Sequence, residues 1–106
     1  MPQLIDIPTL AARQSDGGFI LDCREPMEYV SGHVPGAILG PKSRISTVLG
    51  SLPRDRTINV ICQSGNRSSS MTDFLTGMGY DAVSVNGGTS AWVAAGHPVV
   101  AGPSAA

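Results

Sequence analysis

The chain has 106 residues, 42% of them hydrophobic, with a formal net charge of −1. That is the length of one domain, with enough apolar material for a single core without disulfide staples. The near-zero charge gives no basis for a nucleic-acid or membrane-surface binder, and no apolar run approaches a membrane span.

The first residues, MPQLIDIPTLAARQ, carry no basic leader ahead of an apolar segment. No signal peptide is therefore expected, and the expected location is the cytoplasm. Leu4-Ile5 reads as a short strand. Pro8 to Gln14 reads as a helix, with proline in its first turn and Asp16-Gly17-Gly18 ending it. Phe19 to Cys23 is a strand that runs into polar residues, and Glu25 to Ser31 a short helix with Pro26 near its start. His33-Val34-Pro35-Gly36 is a turn, with His33 as its anchor, and Ala37 to Leu39 a brief strand. In Pro41 to Leu52, Ile45, Val48, Leu49 and Leu52 have helical spacing, and Pro53 to Arg56 is a loop.

Thr57 to Cys62 is the most strand-like segment, rich in β-branched residues. A helix follows, starting at Ser68 or a neighbour. Its apolar stripe is Met71, Phe74, Leu75 and Met78, expected in the core, and Gly79 fits its C-terminal cap. Ala82 to Val85 is a strand, and Gly87 to Ala95 a last helix with Trp92 and Val93 expected in the core. Residues 101–106 read as a loose tail. Alternating strands and helices predict an α/β domain with a mainly parallel sheet and helices on both faces. In such sheets ligands bind beyond the carboxyl ends of the strands, where Cys62 and Asp22-Cys23-Arg24 fall.

Cys62 ends a buried strand. Gln63, Ser64, Gly65 and Asn66 form a short polar loop before a helix, with Arg67 at the rim. Such a loop turns backbone N–H groups inward and adds the positive end of the helix dipole. A cysteine at its base is expected to have its pKa lowered from about 8.5 toward roughly 3.5–7.5, and the thiolate is the nucleophile. An isolated buried cysteine is more often structural, but glycine, arginine and helix start together favour chemistry here. Cys23, His33, Cys62 and His97 contain no close CxxC-type pair, so the metal signal is weak.

Three stretches carry a family resemblance. LDCREPMEYVSGHVPGAI (21–38), ICQSGNRS (61–68) and VNGGTSAWVAAGHPV (85–99) resemble the N-terminal signature, active-site loop and C-terminal signature of the single-domain rhodaneses, the thiosulfate sulfurtransferases. The resemblance covers nearly the whole chain. It implies a rhodanese-like sheet of about five strands. It also implies sulfur transfer from thiosulfate or a related donor to cyanide or a thiol through a persulfide on Cys62, with no metal or organic cofactor. Gln63, Ser64, Gly65, Asn66, Arg67 and Ser68 would bind the substrate, with Arg67 orienting the donor or paired with a nearby acid. Ser68 is expected mainly to cap the helix. Asp22 and Arg24 would be supporting residues, Arg24 pairing with Glu28 or bracing the loop.

Two positions depart from the family pattern: Cys23, where many members have valine, and Gln63, where many have arginine. Gln63 removes a positive charge and so bears on donor preference. Cys23 reads as a small buried residue, or as a thiol able to form a disulfide with Cys62. The alternative to a small-molecule enzyme is a sulfur-relay module serving a partner protein. Four residues separate Cys62 from Arg67, a shorter loop than that of the related phosphatases, which argues against phosphatase or arsenate reductase activity.

Overall fold

A computed structural model of the chain describes residues 2–106. Five strands, β1 (Leu4–Ile5), β2 (Phe19–Asp22), β3 (Ile38–Leu39), β4 (Ile58–Ile61) and β5 (Ala82–Val85), form one sheet in the order β1-β5-β4-β2-β3. Every pairing within it is parallel. The helices are α1 (Ile7–Ser15), α2 (Pro26–Ser31), α3 (Asn66–Gly77) and α4 (Gly88–Ala94).

Strand alternation divides the core into two layers. Ile20, Ile61, Val83 and Val85 pack with Leu10 of α1, Tyr29 of α2 and Trp92 of α4. Leu21, Ile58, Val60 and Ala82 pack on the other face with Met71 and Leu75 of α3. With both faces covered, the central strands read as nearly continuous apolar runs. Ser84 breaks the pattern in β5, yet is fully buried.

Local chemistry sets the helix ends. Asp6 caps α1 by accepting from the Thr9 N–H at 2.9 Å, which lowers the Asp6 pKa. Glu28 caps α2 by accepting from the Glu25 N–H at 3.1 Å. Gly65, at φ +109°, turns the chain into α3.

Three expectations change. Residues 42–47 and 49–51 are short 3-10 turns with a kink at Arg44 rather than one helix. Pro41 and Pro53 bound the segment, and hydroxyls compete for its carbonyls, as Thr47 Oγ1 does at Arg44 O, 2.7 Å away. On α3 the buried residues are Ser68, Met71, Thr72 and Leu75. Phe74 and Met78 are 44% and 43% exposed, so two polar residues take places on the core face that the apolar pattern assigned to them. Val93 is likewise 52% exposed while Trp92 is buried.

The C-terminal segment is tied down. His33 and Val100 exchange two backbone hydrogen bonds of 2.9 Å each. The buried His33 ring stacks on Tyr29 with centroids 3.7 Å apart. Its nitrogens lie 2.9 Å from the Tyr29 carbonyl and 2.8 Å from that of Ser104. The Gly36 N–H donates to Ala105 O at 2.8 Å. His33 thus anchors the tail as well as its own turn, where the sequence suggested a loose end.

Deleting residues 103–106 removes the Ser104 carbonyl from the His33 ring and the Ala105 carbonyl from the Gly36 N–H. It should lower stability by about 1–3 kcal/mol, since buried polar groups lose their hydrogen bonds. Urea unfolding midpoints check this, and an unchanged midpoint would restore the picture of a loose tail.

Candidate active site

Cys62 follows the last residue of β4 and is 1% exposed. Its Sγ accepts the Gly65 N–H at 3.0 Å and lies 3.4 Å from Ser68 Oγ. Gly65, and not Ser68, is the N-cap of α3, so the helix begins at Asn66. Ser68 therefore sits within the first turn, on the buried face. Its hydroxyl is 2.8 Å from Ser84 Oγ and 3.2 Å from Gly65 O. The expected cap is instead a polar contact to the sulfur, because the αL glycine starts the helix earlier.

These contacts lower the Cys62 pKa to about 4. Hydrogen bonding with the Cys23 thiol is the largest cause, burial opposes it, and Ser68 and the Gly65 N–H add to the lowering. Cys62 is thus ionised at neutral pH. Cys23, fully buried, is pushed far above the ordinary thiol range, first by that same hydrogen bond and then by burial. One of the two sulfurs holds the proton and the other the charge.

The loop is held from behind by α4. The Thr89 N–H donates to Cys62 O at 2.8 Å, Thr89 Oγ1 to the same oxygen at 3.1 Å, and the Ser90 N–H to Gln63 O at 3.0 Å. Gly88 permits the approach. A Cβ there would lie 2.5 Å from Cys62 O and 2.7 Å from Gln63 C, and its φ is +60°.

From the other side, the loop is braced by a buried ion pair. Arg24 Nη2 meets Asp22 Oδ2 at 2.9 Å, with the side chains 3% and 0% exposed. Arg24 Nη1 then donates to Gln63 Oε1 at 2.9 Å, while Gln63 Nε2 donates to Ser90 Oγ at 2.8 Å. Arg24 does brace the cysteine loop, but it does not pair with Glu28. Glu28 binds Arg67 instead, through two bonds of 2.6 and 2.8 Å, and these hold its carboxyl down to about 2. Both arginines near the site are therefore matched by carboxylates.

Of the residues expected to bind substrate, Gly65 and Ser68 come together on the expected catalytic Cys62. Gln63 turns toward Arg24 and Ser90, and Arg67 toward Glu28. Ser64 is exposed on the loop and Asn66 is exposed at the first position of α3. A cavity of about 360 Å³ opens beside it, lined by Arg24, Glu28, Gln63, Thr89, Val93 and Val99 among others. Ser84, Thr89 and Ser90 were missed as site residues. The one signal for Ser84 was a hydroxyl inside an otherwise apolar strand. Among the described residues no cluster of His, Cys, Asp or Glu is arranged to hold a metal ion.

Residues 6–95 match the family described as the rhodanese-like domain. The chain is similar to a sulfurtransferase of Allochromatium vinosum, at 35% identity over 92% of this chain and 94% of that protein. Among solved structures, a rhodanese-related protein of Thermoplasma volcanium superposes with a TM-score of 0.86 at 35% identity, over 92% of this chain and 97% of that one. A thiosulfate sulfurtransferase of Pseudomonas aeruginosa gives a TM-score of 0.88 at 30% identity over 98% of this chain, which corresponds to 20% of that larger chain.

Two predictions follow from the site's geometry. Alkylation of Cys62 by iodoacetamide, read on its peptide by mass, should be half-maximal near pH 4 and level through neutrality. The sign follows from the lowered pKa, since the reactive thiolate is already formed above that value. An ordinary thiol would instead speed up about tenfold per pH unit below its pKa of about 8.5. Gly88→Ala should displace the loop, cost about 1–3 kcal/mol in urea unfolding and move the alkylation midpoint upward.

Proposed function

The chain belongs to the rhodanese-like domain family and has a sulfur-transfer role; from that premise we propose that Cys62 is the nucleophile and carries the sulfur as a persulfide. The Cys62 thiolate attacks the outer sulfur of a donor such as thiosulfate, and sulfite leaves with the electron pair of the broken S–S bond. An acceptor, cyanide or a thiol, then attacks the outer sulfur, and Cys62 departs as the thiolate. The reading rests chiefly on one observation: a buried cysteine at a strand end whose Sγ accepts the Gly65 N–H and meets the Ser68 hydroxyl, contacts that lower its pKa. A low pKa serves both halves of the cycle, since it supplies the thiolate for attack and makes it a good leaving group.

The geometry supports the following roles for the remaining residues. The Gly65 N–H and Ser68 hold the sulfur, and backbone N–H groups of residues 63–68 would stabilise the anionic persulfide, as an oxyanion hole does. Ser64 and Asn66, both exposed, are the residues of this stretch free to meet a donor or acceptor from solvent. Gln63 is a positioning residue held by Arg24, which Asp22 orients in turn. Arg67, paired with Glu28, shapes the rim more than it supplies net charge.

That neutralisation favours a second reading, a relay module that passes sulfur to a partner protein's thiol. A rim with balanced charges attracts a dianionic donor weakly. The cavity beside the loop is also edged by Val93 and Val99, 52% and 39% exposed. Rates with thiosulfate and with a low-molecular-weight persulfide separate the two readings, a relay module turning over only the latter.

Brief incubation with thiosulfate should add one sulfur to the intact protein. The gain should be absent in Cys62→Ser and reversed by added thiol. Observing neither a gain of sulfur nor a loss of two hydrogens, with either thiosulfate or glutathione persulfide, would remove the persulfide mechanism.

A further inference from the structure

The two cysteines of the chain meet across neighbouring strands. The β2–β4 register pairs Leu21 with Val60 and Asp22 with Ile61. The Cys23 N–H donates to Ile61 O at 2.9 Å, which carries the parallel ladder one residue further and sets Cys23 beside Cys62. Leu21, Cys23, Val60 and Cys62 all belong to the same core layer, so both thiols project from the same face. Paired strands run about 4.8 Å apart. That spacing lies within the roughly 4.4–6.8 Å between Cα atoms that a disulfide spans. Both cysteines are free thiols here.

We propose, on the basis of the sulfur-transfer reading above, that Cys23 discharges the Cys62 persulfide when no acceptor arrives, releasing hydrosulfide and closing a Cys23–Cys62 disulfide. In this step the Cys23 sulfur attacks Cys62 Sγ, and the bond from Sγ to the outer sulfur breaks. The outer sulfur leaves with that electron pair and takes the Cys23 proton, departing as hydrosulfide. The sulfane sulfur is reduced, the two cysteine sulfurs are oxidised, and no other oxidant is consumed. An added dithiol returns both cysteines to thiols by exchange.

The surroundings suit this division of labour. Cys23 is fully buried, so the sulfur it meets is that of Cys62. Its raised pKa keeps it protonated until an acceptor for the proton is at hand, and the anionic outer sulfur is such an acceptor. The Gly65 N–H and Ser68 contact Cys62 Sγ from the loop and from α3, while Cys23 approaches it from the adjoining strand.

The test uses the full chain as wild type, Cys23→Val, Cys23→Ala and Cys62→Ser. Each is incubated to end point with glutathione persulfide, the excess donor is removed, and no acceptor is added. Intact mass is read without reductant, and hydrosulfide is trapped with monobromobimane. Wild type should finish lighter by two hydrogens, with a peptide bridge between Cys23 and Cys62, and release about one hydrosulfide per loaded chain. The two Cys23 variants should finish heavier by one sulfur and release none, and Cys62→Ser should remain unchanged. Either folded Cys23 variant suffices for the comparison. If wild type keeps its added sulfur just as the variants do, the discharge is overturned while sulfur transfer stands. If neither wild type nor the Cys23 variants gain sulfur or close a bridge, the persulfide reading fails and the discharge with it.

Discussion

The site depends on two carbonyl groups pointing away from it. In a trans peptide the C=O and the following N–H face opposite sides. By holding Cys62 O and Gln63 O, the first turn of α4 turns the N–H groups of Gln63 and Ser64 away from itself. The loop after β4 is therefore shaped from behind by residues some two dozen positions along the chain. This gives the segment 85–99 its physical meaning. Gly88 removes the Cβ that would collide with the loop, and Thr89 supplies both a backbone and a hydroxyl donor to one oxygen. Trp92, one turn on, fixes α4 to the sheet by burying its ring and donating Nε1–H to Pro98 O at 2.8 Å.

The same economy governs charge. A buried arginine with no partner costs several kcal/mol, as does a buried carboxylate. Asp22 and Arg24 satisfy each other at the end of β2, and what remains of the guanidinium's donors goes to Gln63 and Gly32 O. Glu28 and Arg67 do likewise nearer solvent, at 34% and 37% exposure, where pairing fixes geometry more than it adds stability. With both arginines matched, the stabilisation of anionic sulfur falls to near neighbours: a thiol, a hydroxyl and a backbone N–H. Such short-range donors act on an atom already in place. They attract charged solutes from a distance much less than a bare arginine would.

Most of the architecture was legible because strands buried on both faces and glycine-ended helices leave strong local patterns. The α/β class, the central strands and the position of Cys62 at a strand end follow from such patterns, whereas for Arg24 the sequence left pairing with Glu28 and bracing of the loop both open. The failures have a common source. Helical spacing records which residues are apolar, whereas the buried face of α3 is set by the angle at which the helix lies on the sheet, and Ser68 on that face also reaches Cys62. Ser68 and Thr72 face inward, and Phe74 and Met78 are displaced to the surface. Likewise the partner of Arg67 could not be read from spacing, because Glu28 lies 39 residues away and already serves as a cap. The attachment of the tail was equally hidden, since it is made mostly through the tail's own backbone carbonyls and N–H groups, which nearly every residue has.

Burial of the nucleophile itself constrains the proposed chemistry. At 1% exposure, Cys62 cannot meet a bulky acceptor directly. Adding a sulfur atom extends the reactive end of the side chain by about 2.05 Å, the length of an S–S bond. The transferable atom then stands nearer the mouth of the loop than the cysteine that bears it. Loading requires a donor that projects a single terminal sulfur, while delivery requires only that an acceptor reach the rim. A short loop of four residues enclosing one sulfur position separates these two requirements. Val93 and Val99 line the cavity beside the loop together with Gln63 and Thr89, and in the proposed relay a larger acceptor would rest there without displacing the buried thiol pair.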